Sequence, residues 1–454
     1  MPGRCIAAVI GGLVVLAIAV EPVSAQQAVG QPAATPQAGA DDRPPLPNRV
    51  NQLLPSWLRV RGEFRERAER VDAAGFTDGR DDAFFLSRVR LNATVTSTRL
   101  AATVQVQDSR VAGKTVGPTG APFSATFDLR QAYADIGGAR LVTLRLGRQE
   151  LTLGDQRLVG PSNWTNVART FDGARMTIAS RAVQVDVFAA SVVRILAGEL
   201  DKSGNGNRLA GVQVAAGRLL PAATMETYAF YRRDRRLRPE SGPLATLSQW
   251  TLGARLVGRA PAALDYNVEV ATQAGSLGTD DVSAWAGHWV LRHSLAGAQA
   301  MHLTSEFNYA SGDENPGDGE RGTFDQLYQS GHDKHGLADQ VGWRNIRHVR
   351  LGFDLTPVRA TPLSVNWHSY WLVEKADGLY SGSGALLARV PGGASSARVG
   401  QELDVQITHP LTPQLALAAG YAHLFPGAFL KQATPGHSYR SVFGMVTYVF
   451  LADK

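Results

Sequence analysis

The sequence predicts an all-β fold, a transmembrane antiparallel β-barrel of about eighteen strands behind a cleaved signal peptide. Three observations point there. The chain opens with an apolar leader, continues as short segments that alternate with a period of two, and ends on a segment that alternates the same way up to Phe450.

Arg4 precedes an uncharged apolar run from Ile6 to Val20, and Glu21, Pro22 and the small-residue triplet Val23, Ser24, Ala25 follow it. This is the layout of a signal peptide over residues 1–25, cleaved after Ala25; a retained membrane helix would need about 20 apolar residues. The one cysteine, Cys5, lies ahead of the apolar run, where a lipoprotein cysteine would follow it. The mature chain therefore carries no thiol, which excludes disulfides and cysteine-based catalytic or metal sites. Residues 26–50 are rich in Gln, Ala and Pro and carry Asp41, Asp42, Arg43, Pro44 and Pro45. Such a composition cannot bury a core and reads as a disordered periplasmic lead-in. Residues 51–454 follow as one barrel domain without an internal linker.

The first strand carries the strongest pattern. Arg59, Arg61, Glu63, Arg65 and Arg67 share one face, while Leu58, Val60, Gly62 and Phe64 share the other. Guanidinium groups at every second position repel one another unless water and carboxylates screen them, so this strand belongs between a solvated space and lipid. From Phe84 onward, Arg88, Arg90, Asn92, Thr94 and Thr96 oppose Phe85, Val89, Leu91, Ala93 and Val95. Thr103, Gln105 and Gln107 then oppose Leu100, Ala102, Val104 and Val106. Further along, Asp265, Asn267, Glu269 and Gln273 oppose Tyr266, Val268 and Val270, and His302, Thr304, Glu306 and Asn308 oppose Met301, Leu303, Phe307 and Tyr309. Segments 208–216 and 415–423 alternate poorly. In the last strand Val442, Val446, Tyr448 and Phe450 oppose Ser441 and Thr447, an aromatic-tipped ending of the kind read by the barrel-assembly machinery. Closure is required physically, because a free sheet edge in lipid leaves backbone groups without partners.

A barrel of this size leaves an aqueous channel, and its lining decides what passes. Arg59, Arg61, Arg65, Arg88, Arg90, Arg145 and Arg175 fall on the expected lumen face, with Arg148, Arg157 and Arg169 near strand ends. The formal net charge is +6, and loss of residues 1–25 removes one Arg and one Glu and leaves it unchanged. Rings of arginine attract anions, and each guanidinium forks onto carboxylate, so the expected solute is anionic. The alternative is a general anion-preferring porin for small solutes, in which the arginines only balance Glu63, Glu66, Glu69, Asp108, Asp128, Asp135 and Glu150.

A more specific block runs from Phe127 to Arg175. It contains Phe127, Asp128, Leu129, Arg130, Gln131, Ala132, Tyr133, then Gly147, Arg148, Gln149, Glu150, then Gly154, Asp155, Gln156, Arg157, then Asn163, Trp164, Thr165, Asn166, and Arg169, Thr170, Phe171, Asp172. Together with the arginine-rich first strand and a long segment from Ser311 to Arg344, this block resembles the alginate export family of outer-membrane barrels. The resemblance implies an 18-stranded monomer in the bacterial cell outer membrane, with a narrow electropositive constriction through which an anionic polysaccharide such as alginate leaves passively. It also implies constriction arginines at Arg61, Arg88, Arg130, Arg145 and Arg148, then Arg169 and Arg175, held by the acidic groups Glu150, Asp155 and Asp172. Strict alternation at Arg130 would put Ala132 and Ala134 on its face and Gln131 and Tyr133 on the other, which leaves the inward face there open.

The expected partners are an anionic polysaccharide or small anions, outer-membrane lipid, the assembly machinery and a periplasmic export partner, with no nucleic acid. No cofactor is expected. No glycine-rich loop ending in Lys-Ser or Lys-Thr supplies an energy source. The acidic segment Asp313, Glu314, Asn315, Asp318, Glu320 lacks the ligand order of a calcium loop, and His332, Asp333, Lys334, His335 lack zinc-site spacing, so no metal is expected. The long segment reads instead as an extracellular loop over the pore mouth. Most tryptophans read as interfacial girdle, with Trp164 as the exception. An outer-membrane hydrolase would need paired Ser and His, but His302 and Ser305 fall on opposite faces and no Gly-x-Ser-x-Gly elbow occurs, so no enzyme is expected.

Overall fold

The alternating segments become strands in the computed structural model, which describes residues 46–137, 141–196, 198–220, 222–240, 242–295, 300–332 and 334–451. The expected signal peptide and residues 26–45 of the lead-in lie outside the described residues, as do Asp333 and residues 452–454.

The first nine strands are β1 (Leu58–Asp72), β2 (Asp82–Thr96), β3 (Leu100–Ala112), β4 (Ala125–Ile136), β5 (Val142–Gln149), β6 (Phe171–Ala179), β7 (Val183–Arg194), β8 (Lys202–Leu220) and β9 (Ala223–Leu237). Next come β10 (Ala245–Ala260), β11 (Leu264–Leu277), β12 (Asp280–Ser294), β13 (His302–Ala310), β14 (Glu320–Arg321), β15 (Ile346–Val358) and β16 (Thr361–Trp371). The last are β17 (Leu379–Tyr380), β18 (Leu386–Ala388), β19 (Arg398–Pro410), β20 (Leu415–Pro426) and β21 (Tyr439–Phe450). The short strands β14, β17 and β18 belong to loops, and the others form a closed wall of 18 antiparallel strands. The poorly alternating segments 208–216 and 415–423 lie in β8 and β20.

The seam is β1 against β21, running from Gly62 opposite Phe450 to Asp72 opposite Arg440. Phe450 lies flat on Gly62, where an added Cβ would sit 2.0 Å from its ring, so the aromatic end of the chain fills the space left by the missing side chain. Residues 46–50, read from the sequence as lead-in, are the start of helix α1 (Leu46–Leu53). Its Asn51 donates to the carbonyls of Val60 and Leu451 at 2.8 Å each and accepts from the Val60 amide at 2.9 Å. One side chain thus satisfies backbone groups on both sides of the seam, just where the β1 and β21 ladder stops.

The outer surface carries the predicted apolar face: Phe64, Phe85, Val89, Leu91, Val104, Leu252, Phe307 and Leu351 are exposed there. Trp250, Trp285 and Trp367 are exposed on the same surface, as a girdle requires, whereas Trp343 is fully buried and donates its ring N–H to the Tyr309 carbonyl. At one end the wall strands turn within a few residues, as at 97–99, 180–182 and 359–360. At the other end lie 150–170, 311–345 and 372–397, which by the usual barrel rule face outside the cell. The segment 311–345 does not simply cover the mouth as the sequence suggested. It descends inside the wall, where Phe324, Val341 and Trp343 join one apolar cluster with Phe171, Phe230 and Tyr370.

The open question at Arg130 has a structural answer. The register of β4 on β3 shifts between Gln105 opposite Gln131 and Val106 opposite Leu129, leaving Arg130 as the extra residue of a β-bulge. A bulge resets the parity of a strand. Arg130 therefore shares the inner face with Gln131, Tyr133 and Asp135, and Ala132 and Ala134 turn outward.

Candidate functional site in the lumen

Strand parity gathers Arg65 and Arg67 of β1, Arg88 and Arg90 of β2 and Arg130 of β4 on one stretch of inner wall, each almost fully buried. What buries them is the loop 150–170. Arg65 donates to the carbonyls of Asn163, Trp164 and Thr165 at 3.0–3.1 Å, Arg67 donates to the Trp164 carbonyl at 2.7 Å, and Arg88 donates to those of Asn163 and Thr165 at 2.9 and 3.1 Å. The Asn163 side-chain oxygen accepts from Arg90 at 2.9 Å and from Arg130 at 3.3 Å. Charged donors on neutral carbonyl oxygens make strong hydrogen bonds without cancelling the charge. The carboxylates in contact with this cluster are Glu63 on Arg88, Glu69 on Arg67 and Glu150 on Arg130. The guanidinium of Arg67 also lies 3.9 Å over the Trp164 ring, which stacks on His332 at 3.7 Å. Asn166 locks the loop to the wall by donating to the carbonyls of Ser87, Arg110 and Phe123 at 2.9–3.0 Å.

The same loop crosses to the opposite wall. Arg157 reaches Asn308 and Glu306 of β13 and His288 of β12 at 3.2–3.4 Å. Asp155 lies 3.6 Å from Arg157. Burial works against its ionisation, but the charges of Lys334, Arg157 and Arg255 outweigh that penalty and hold its carboxyl far below the usual range. Midway, the backbone joins the loop 311–345: the Gly160 amide donates to the Tyr328 carbonyl at 3.0 Å and the Tyr328 amide to the Leu158 carbonyl at 2.8 Å. Arg169 clips this junction by donating to the carbonyls of Gly160 and Tyr328, and burial brings its guanidinium down to about 10. Two loops thereby form a partition across the lumen.

Of the residues expected at a constriction, Arg88, Arg130 and Glu150 come together in the arginine cluster. Arg61 lies on the same face of β1, opposite Asn92, exposed and without an ion pair among the described residues. Arg145 and Arg175 face each other across β5 and β6 on the inner face, but each has its own carboxylate, Asp135 at 2.7 Å and Asp186 at 2.8 Å. Arg169 and Asp155 sit in the partition. Arg148 and Asp172 are elsewhere: Arg148 alternates with the inward Arg145 and Gln149 and so faces outward, where it pairs with Asp172 at 2.8 Å and donates to the Asp201 carbonyl. Their position near a strand end hid the parity. Arg65, Arg67 and Arg90 belong to the cluster on equal terms with Arg88, and the period-two pattern of β1 and β2 already signalled them.

Alternation placed Glu269, Glu306 and Asn308 on the polar face of the opposite wall, but not the network that they and the histidines form there. His348 of β15 bonds His368 of β16 at 2.9 Å, and His368 lies 3.1 Å from Asp404 of β19. Glu306 holds Arg350 and Arg157, and Glu226 holds Arg255 at 3.0 Å. These partners are tens of residues apart, and only barrel register makes them neighbours.

An 18-strand closed barrel with an apolar exterior and an ionic, loop-partitioned interior defines an outer-membrane channel. The sequence pattern of the Alginate export family matches residues 56–443, and the chain belongs to that family. Among solved structures, Pseudomonas aeruginosa OccK11 (OpdR) is similar at a TM-score of 0.58 and 14% identity, over 87% of this chain and 96% of that one. Pseudomonas aeruginosa OpdO gives 0.57 at 13% identity, over 87% and 97% of the two chains. Acinetobacter baumannii OccAB4 gives 0.55 at 11% identity, over 86% and 98%. At such identities the likeness concerns the fold. No curated protein matches the chain in sequence.

Proposed function

We propose that this channel passes an anionic, carboxylate-bearing polysaccharide such as alginate, passively and along the arginine-rich wall. The supporting observation is the charge imbalance there: five guanidinium groups, Arg65, Arg67, Arg88, Arg90 and Arg130, stand against the carboxylates Glu63, Glu69 and Glu150, with Arg61 exposed on the same face. Arg65 and Arg90 are held by neutral carbonyl and amide oxygens alone, and Arg67, Arg88 and Arg130 by such oxygens beside one carboxylate each, so a positive potential survives while the side chains are held in place. A polyuronate would be drawn by that potential, and modest affinity at each guanidinium would let it move on.

The test is single-channel conductance in planar bilayers with polyuronate oligomers of graded length. The expected result is reversible current block by the oligomers, weakened about tenfold in Arg61→Ala and Arg130→Ala together. Equal permeability to cations and anions would overturn the proposal, and anion selectivity without oligomer block would leave a porin for small anions.

A further inference from the structure

Two outward arginines on the rim of this barrel have a carboxylate beside them: Arg110 pairs with Asp108 at 2.7 Å and Arg70 with Asp72 at 2.8 Å. Strands β8 and β9 are built differently. Arg208 of β8 stands directly opposite Arg233 of β9 in the ladder, and both are exposed. Their neighbours in sequence, Leu209 and Asp234, are buried on the inner side, so the two arginines point outward. Arg235 lies over Gly206 and is exposed as well, and exposed Arg236 and Arg238 continue the run towards the loop. None of these five has an ion pair with a carboxylate among the described residues.

Like charges directly opposite each other destabilise a strand pair. The outward carboxylates at this height cannot relieve them. Asp172, two strands away beyond Ser191, is committed to Arg148. Asp281 lies three strands away through Ser248 and Ser276, about 14 Å by strand spacing and beyond a Debye length in physiological salt.

The height of the pair in the wall identifies what lies against it. Two residues below Arg233, Tyr231 packs on the outward Trp250 with ring centroids 5.0 Å apart, an aromatic pair of the kind that sits at the edge of the hydrocarbon. Two residues of strand rise about 7 Å, which lifts Arg208 and Arg233 from that edge to the headgroup layer on the long-loop side. We propose that Arg208 and Arg233, with Arg235, bind the phosphate of an outer-leaflet glycolipid headgroup against the outside of the barrel. A phosphate between the two guanidinium groups removes their repulsion and accepts forked hydrogen bonds from both. The exported polymer is the less suitable occupant, because these side chains face the membrane and not the lumen.

The test is native mass spectrometry of the purified barrel with bis-phosphorylated lipid A, and with the same lipid stripped of its phosphates. The wild type is expected to retain the phosphorylated form about tenfold better. Arg208→Gln with Arg233→Gln should lose that preference, the double Lys variant should keep part of it, and Arg110→Gln should keep it all. Equal retention of both lipids by the wild type, which needs no variant to fold, overturns the proposal. So does a double Gln variant with unchanged preference, or displacement of the lipid by a soluble polyuronate oligomer.

Discussion

The two walls of the lumen are built from the same alternation and end in opposite electrostatic states. On β1 to β4 guanidinium groups outnumber carboxylates, and the loop 150–170 supplies carbonyl oxygens to hold them. On β9 to β19 the inward groups include Glu226, Glu269, Glu306, Glu402 and Asp404, and the arginines beside them, such as Arg232, Arg255, Arg292 and Arg350, are in ion pairs. Counting arginines therefore does not locate a positive surface. An arginine matched by a carboxylate contributes fixed structure, whereas an arginine matched by a carbonyl contributes both structure and potential.

The largest break of this contrast should come from the first wall. Arg65→Ala with Arg88→Ala removes five hydrogen bonds into the Asn163, Trp164 and Thr165 carbonyls and leaves Glu63 without its arginine, at a cost of about 3–5 kcal/mol for each buried group lost. Faster amide exchange across residues 160–170 and a severalfold rise in conductance are the expected outcomes. Unchanged exchange would mean that the remaining anchors, Asn166, Arg67 and Arg169 among them, suffice to hold the loop.

Glu306→Gln tests the second wall from the other side. It deprives Arg350 and Arg157 of a shared carboxylate, so thermal stability should fall by about 3–5 kcal/mol while anion selectivity rises, because the wall gains net positive charge. Unchanged selectivity would show that this wall does not face the conducting path.

The smallest effect lies in the loops above that wall. Burial first, and then the neighbouring carboxylate of Glu240 with Asp377 beyond it, raise Asp313 to about 7 from its ordinary 3.8. A carboxyl raised in this way stabilises the folded loop fully below its unfolded value and loses that contribution as pH rises to about 7. Amide protection over residues 311–320, taken relative to the base-catalysed intrinsic exchange rate at each pH, should therefore fall between about pH 4 and pH 7, and Asp313→Asn should flatten the profile. Protection that falls equally in the variant would assign the pH response to another group.

Much of the first wall was legible in the sequence. Arg65, Arg67, Arg88 and Arg90 lie on regular strands, where parity read from one apolar neighbour holds for the whole segment. Legibility ended where parity was interrupted or had no anchor. The bulge at Arg130 turned Gln131 and Tyr133 to the same side as the arginine, and a strand end carried Arg148 and Asp172 to the outer surface. The helix over Leu46–Leu53 was hidden by the polar, proline-rich stretch before it, and its Asn51 is explained only by the seam it closes.

By itself the sequence determined the barrel: a period of two with one face for lipid admits no other stable arrangement once every backbone group must find a partner in the membrane. It also determined which strands carry guanidinium groups. The tertiary structure alone decided what those groups do, because a loop entering the lumen chooses, through contacts nearly a hundred residues apart such as Arg65 to Asn163, which arginines bond to carbonyls and keep an unbalanced charge. Alternation is a property of neighbours along the chain, and charge balance is a property of neighbours in space.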